Sequence, residues 1–316
     1  ATLFHPETGI RSRFAPNDPT PWPPELPAGQ NPPPGPIFDY YLPHAASGPV
    51  VIQILKGNQV IRTYSSANNP TGPSPDLDPV AYNKLCEANP RLAHCNMTLY
   101  WPAAPRTVPT TAGEHRIWWD MHYNPIPGVT ARGNDGGEGA VPHMTEPSIA
   151  SPLVPPGDYT VKLTVDGQSF TQPFVYKMDP RVTTSLAGLE QLYRLSARMY
   201  YGAKADRDAY NAARAVLAED APAGMTPAIR KQIEALAPPP PAHPAGRGFG
   251  FFRRGPAGPP TLSSVADAEM NAAMAMQRMD ITPTAADIAN CQHAHAQAVA
   301  LLAKWQSLRS QLGTAR

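Results

Sequence analysis

Apolar and polar residues alternate through the first half of this chain and recur at three- to four-residue spacing through the second. The strictest alternation lies between Pro152 and Pro180. There Tyr159, Val161, Leu163 and Val165 interleave with Thr160, Lys162, Thr164 and Asp166. A period of two predicts a half-buried strand. Asp166-Gly167 supplies residues that tolerate positive φ in a tight turn, and Phe170 to Lys177 reads as the returning strand. Pro173 argues against a central position for that strand, because it cannot donate to a ladder.

The same reading predicts strands at Ile37 to Leu42 and at Gly113 to Met121. It predicts a second hairpin from Val50 to Leu55 and Gln59 to Tyr64, turning at Lys56-Gly57-Asn58. Residues 66–98 read as an insertion with a short helix near Val80 to Ala88, and 131–140 as a Gly-rich loop. Short strands between turn signals predict an antiparallel immunoglobulin-like β-sandwich over 37–180.

After Arg181 the period changes. Leu186, Leu189, Leu192, Tyr193, Leu195, Met199 and Tyr200 follow helical spacing, with Thr184 or Ser185 as N-cap. This helix continues toward Glu219 if Gly202 does not interrupt it. Thr226-Pro227 opens a shorter helix to about Leu236, with proline at its first position. Residues 238–260 form a Pro/Gly loop. Thr261 or Ser263 opens a helix to about Met279, and Thr282-Pro283-Thr284 opens the last, to Leu312. The expectation for 181–316 is a bundle of about four helices, and for the whole chain an α+β multidomain architecture. Residues 1–36 read as an extended, Pro-rich arm with Phe4, Ile10, Phe14 and Trp22 as spaced apolar anchors.

Composition narrows the function classes. Proline contributes 41 of 316 residues, clustered in the connectors between apolar segments, so the chain reads as globular domains with stiff linkers. A formal net charge of +1 gives no bulk electrostatic argument for nucleic-acid binding. No apolar run approaches the ~20 residues of a spanning helix. Cys86 and Cys95 lie close together in the insertion. A bond between them would stabilise the loop by roughly 2–3 kcal/mol and would fit an oxidising compartment. Cys291 reads as a buried helix residue. The chain starts at Ala1 without an initiator Met, as a processed product or a piece of something longer would.

Clusters capable of chemistry are weak. Asp120, His122 and His115 lie near one strand; a metal or acid–base site is geometrically open there, and hydrogen bonding beside the tryptophans is the plainer reading. His293 and His295 are two apart on a helix and diverge, whereas Cys291 and His295 meet but supply only two ligands. Met270, Met274, Met276 and Met279 read as core packing. The loop 133–139, with Asp135 and Glu138, lacks the strand–turn–helix context and the Lys-Ser/Thr of a phosphate-binding loop. No GxSxG elbow occurs. No residue is assigned a catalytic, cofactor or metal role. Arg247-Gly248-Phe249-Gly250-Phe251-Phe252-Arg253-Arg254 stands apart, with three aromatics and three arginines between helices. The phenylalanines offer buried area and the arginines offer ion pairs or cation–π contacts.

Five stretches carry a resemblance: NPPPGPIFDYYL (31–42), VVIQILKGNQVIRTYSS (50–66), AGEHRIWWDMHYNP (112–125), SPLVPPGDYTVKLTVDGQSFTQPFVYKMDPR (151–181) and TPTAADIANCQHAHAQAVALLAKWQSLRSQL (282–312). Together they resemble the C-terminal region of large secreted bacterial proteins with sortilin-like (VPS10/BNR-repeat) propellers. The resemblance implies an immunoglobulin-like module followed by a bundle, outside the cytoplasm. The propeller and its Ser-x-Asp-x-Gly-x-x-Trp repeats are absent, so no glycosidase role transfers to any residue.

The resulting expectation is a non-enzymatic interaction or scaffold protein, periplasmic or extracellular with its signal peptide removed. It would be an accessory subunit of a larger bacterial membrane-associated assembly, of which a photosynthetic reaction-centre complex is one example. Its partners would be other protein subunits, with peripheral lipid contact and no nucleic acid. The expected contact residues are Phe249, Phe251, Phe252, Arg247, Arg253 and Arg254 in the loop, and Phe4, Phe14 and Trp22 in the arm. The alternative is an accessory or substrate-binding module of a secreted glycan- or peptide-acting hydrolase, with Trp101, Trp118 or Trp119 as stacking platforms.

Overall fold

The structure is a computed structural model, and it describes residues 1–11, 35–69, 72–73, 78–89, 95, 106–130, 149–219, 224–240 and 258–313. The chain divides into a sheet unit, residues 1–124 and 133–184, and a helical unit, residues 125–132 and 185–316.

The sheet unit holds two sheets. One has the order β1 (Thr2–Leu3), β3 (Ile37–Leu42), β6 (Gly113–Trp118). The other has the order β2 (Gly9–Arg11), β8 (Gln168–Met178), β7 (Gly157–Val165), β4 (Val51–Lys56), β5 (Gln59–Ser65). The hairpin expected at Asp166-Gly167 is present. Both turn residues have positive φ, 48° and 76°, and Val165 pairs with Gln168. Along β7 the side chains of Tyr159, Val161, Leu163 and Val165 are all buried while their neighbours are exposed or half-buried. The β4–β5 hairpin turns at Gly57, again with positive φ. The buried faces of the two sheets meet where Phe38 of β3 lies edge-on to Phe174 of β8, centroids 5.1 Å apart. Trp119 is fully buried in this core against Tyr159, Phe174 and Tyr176.

This arrangement corrects the expected fold class. The sheet unit is not an antiparallel immunoglobulin-like sandwich. Its larger sheet is mixed, because β2 runs parallel to β8, with Ile10 opposite Lys177. Among the described residues, two of the eight strands come from the first eleven, which read in the sequence as the start of an arm. Thr2 and Leu3 pair with Tyr41 and Tyr40, and after a short crossover Gly9 to Arg11 pair with β8. Strands of two and three residues show no alternation to read, so their pairing is decided by the edges they meet. The expected strand from Gly113 to Met121 ends at Trp118. Met121 then adopts a φ of 63°, which no strand residue holds. A short helix, α1 (Pro79–Ala88), occupies the insertion, capped by Asp78.

The helical unit is not the expected four-helix bundle either. Three long helices make its body: α2 (Leu186–Ala218), α4 (Leu262–Ala275) and α5 (Ala285–Gly313). The ten-residue α3 (Pro227–Leu236) contributes Ile233 and Leu236 to one apolar cluster only, with Ala213, Leu262, Trp305 and Leu308. Starts are set by local chemistry. Ser185 accepts from the Gly188 amide and Thr226 from that of Ile229. Thr261 and Ser264 form a reciprocal capping box, as do Thr284 and Asp287. A second apolar cluster joins Leu192, Met199, Ala272, Ala273, Met276, Cys291 and Ala294. α2 runs unbroken through Gly202.

Candidate functional site

Of the expected contact residues, Phe14, Trp22, Arg247, Phe249, Phe251, Phe252, Arg253 and Arg254 lie outside the described residues, as does Trp101. Phe4 is described. It follows β1, its amide donates to the Asp39 carbonyl at 3.0 Å, and its side chain is 44% exposed. The crossover behind it is tied down on both sides by β1 and β2, and Gln172 Nε2 donates to the Leu3 carbonyl. His5, Pro6 and Thr8 form one wall of a shallow depression of about 250 Å³. Asp158, Pro173 and Val175 of the hairpin form the other. Pro173, which cannot donate, and Val175, 37% exposed, lie on the solvent side of β8. An exposed aromatic side chain on backbone held by two sheets can bury area against another surface without first losing much chain entropy.

Cys86 and Cys95 are joined by a disulfide that closes a separation of nine residues. Cys291 is free and buried, and burial first, then the Asp287 charge, pushes its thiol up to about 11. A thiol so placed is a poor nucleophile at neutral pH.

The strand-end cluster is a buried polar network. Asp120 Oδ2 accepts from Arg62 at 2.6 Å and from Arg106 at 3.3 Å. Its Oδ1 accepts the His122 amide at 3.1 Å, a contact made across the positive φ of Met121. Arg62 also donates to the Tyr123 carbonyl, and Ser151 Oγ donates to the same oxygen. His122 Nδ1 contacts the Ser151 carbonyl. Burial drives the His122 pKa down to about 4, so the imidazole is neutral near pH 7. His115, by contrast, is half-buried and faces the Thr111 carbonyl. The three residues that the sequence places near one strand therefore do not converge. Arg62 and Arg106 hold Asp120, and neither was legible as its partner, being 58 and 14 positions away. Arg106 also stacks its guanidinium 3.5 Å from the centre of the Trp118 ring. With Trp119 buried, neither tryptophan presents two free faces for stacking a sugar.

The helical unit contains a second cluster. Asp206 of α2 and Glu269 of α4 are both fully buried. They lie between the two apolar clusters in chain order on each helix. His295 Nδ1 of α5 is 2.8 Å from Glu269 Oε1. Burial, then the neighbouring Glu269 charge, pushes Asp206 well above the usual carboxylate range, and burial does the same to Glu269. Burial and the Arg198 charge lower His295. His293 points elsewhere, toward Gln297. Among the described residues no group of three His, Cys, Asp or Glu is placed to hold a metal ion. Met270, Met274 and Met276 are buried in the helical core, and Met279 is exposed.

No helix among the described residues is long and apolar enough to cross a membrane. Comparison with protein-family models, with curated proteins and with solved structures finds no match for this chain.

Proposed function

We propose that this protein is a non-catalytic interaction subunit that works outside the cytoplasm by holding other protein subunits in a larger membrane-associated assembly. The observation that carries the reading is Phe4: a large aromatic side chain, 44% exposed, on backbone pinned between two sheets and one residue before His5, which lines a shallow depression. An ordered, exposed aromatic is the kind of residue that anchors an interface, because little freedom remains to be lost on docking. The Asp120 network supports the same reading, since its carboxylate is already engaged by two arginines and serves packing. The bonded pair Cys86–Cys95 supports an oxidising location.

The test is fractionation of the native protein by gradient and native gel, followed by identification of what travels with it. Co-migration with other subunits well above the 34.0 kDa of the chain is the expected result. Migration only as the free chain, at native abundance and without detergent stripping, sinks the reading.

A further inference from the structure

Two carboxyl groups face one another in the helical unit where no charge is easily kept. Asp206 and Glu269 have no exposed surface. Neither oxygen of Asp206, nor Oε2 of Glu269, has a hydrogen-bond partner among the described residues. Two buried anions at close range, short of donors, are strongly disfavoured, and such pairs hold a proton instead. The groups around the pair decide how many. On α2 itself the cation is Arg198, two turns before Asp206, and its charge favours the ionised form of Glu269. From α5 come His295, Cys291 and Asp287; the first contacts Glu269, the thiol is un-ionised, and Asp287 is engaged in capping its own helix. From α4 the ionisable contributor is Glu269. One nearby permanent positive charge can compensate one carboxylate and leaves the other to be neutralised by protonation.

We propose that Asp206 and Glu269 share a single proton, and that this proton is a latch on the contact between α2 and α4. With it, the pair is a neutral donor facing an anionic acceptor across the two helices. Without it, two anions face each other and push the helices apart. His295 is the route by which the latch is set. Its side chain is 28% exposed while its Nδ1 touches Glu269, so it joins solvent to a pair that solvent does not reach. Gly202 belongs to the same device. Any Cβ at that position would fall on the Glu269 carboxyl, so glycine is what lets the carboxyl lie against α2. A metal ion is the competing occupant of a buried carboxylate pair, and the positive charge of Arg198 opposes it.

The test uses the full chain. Infrared difference spectra between pH 6 and pH 9 read protonated carboxyl groups, since ordinary carboxylates are already ionised at pH 6. Thermal unfolding followed by helical circular dichroism reads the latch. The wild type is expected to show a protonated-carboxyl band at pH 6 that is gone by pH 9. The band is expected to persist in Asp267→Asn and to be missing in Asp206→Asn and Glu269→Gln. The wild-type midpoint is expected to fall by about 5 °C or more over that interval, with a much flatter profile for Glu269→Gln. If the two pair variants fail to fold, the band in the wild type and in Asp267→Asn decides. Absence of the band from the wild type, its loss in Asp267→Asn, or parallel midpoint curves for the wild type and Glu269→Gln overturns the proposal. So does a rise in midpoint on adding zinc or manganese that the wild type shows and Glu269→Gln lacks, which would make the pair a metal site.

Discussion

Gly202 of α2 lies against the carboxyl group of Glu269 of α4, so closely that a Cβ at position 202 would stand 2.1 Å from Oε2 and 2.5 Å from Cδ. The glycine therefore does not break its helix. It is the notch into which a buried acid from the neighbouring helix fits. The Gly202→Ala variant gains helix propensity of about 1 kcal/mol. It must also displace a carboxyl held by burial and by His295. A net destabilisation of about 1–3 kcal/mol is expected, measured by urea unfolding at 222 nm. In the background of Glu269→Ala the same substitution should be neutral or stabilising. Equal effects in both backgrounds would show that the contact does not matter.

Asp120 pairs with two arginines inside the sheet unit, with side-chain exposures of 5% for the acid and 10% and 22% for Arg62 and Arg106. Removing the acid leaves buried positive charge without a counterion. Asp120→Ala should destabilise the sheet unit by about 3–5 kcal/mol, and the double variant Arg62→Met/Asp120→Ala should recover part of it. Chemical denaturation of the three proteins measures both.

The two units should answer pH in opposite senses. His122 is held below its ordinary value, at about 4 against 6.5 unfolded, by burial. A depressed folded pKa means stability that is present above pH 6.5 and lost as pH falls toward 4, on the order of 3 kcal/mol in full. Asp206 and Glu269 are raised, so the unfolded chain releases their protons first. Stability from that pair is fully present in the unfolded carboxylate range, near pH 4, and is lost as pH rises past neutrality. Thermal scans at pH 5 and pH 8, with tryptophan emission of a Trp305→Phe protein for the sheet unit and 222 nm for the helices, should show the two transitions moving apart in opposite order. A common shift of both transitions would contradict the assignment.

Reduction of the Cys86–Cys95 bond should cost about 2–3 kcal/mol of local stability, through the freedom returned to a short loop. Limited proteolysis in the presence and absence of reductant, mapped by mass spectrometry, should place new cuts around α1. An unchanged digest would mean that the insertion is held by other contacts.

Phe4→Ser should weaken association with native partners while leaving the thermal midpoint within about 1 °C, because the side chain is substantially exposed and only its backbone is paired. Retention of full-strength association after this substitution would remove Phe4 from the interface.

Local chemistry alone settled much of this protein. The turn at Asp166-Gly167, the alternation along β7, the caps at Ser185, Thr226 and Thr261, and the helical period after Arg181 each act within a few residues. Sequence neighbours carry all the information they need. What only the tertiary structure decided were relations between distant positions. The first eleven residues found edges in two sheets, one of them parallel, and so replaced the expected sandwich with a mixed arrangement. Three long helices took the core and left α3 at one end. Arg62 and Arg106 met Asp120, and Gly202 met Glu269. A two-residue strand, an isolated arginine or a single glycine has no period of its own. Its place follows from which unpaired edge, charge or carboxyl it encounters once the rest of the chain has closed around it.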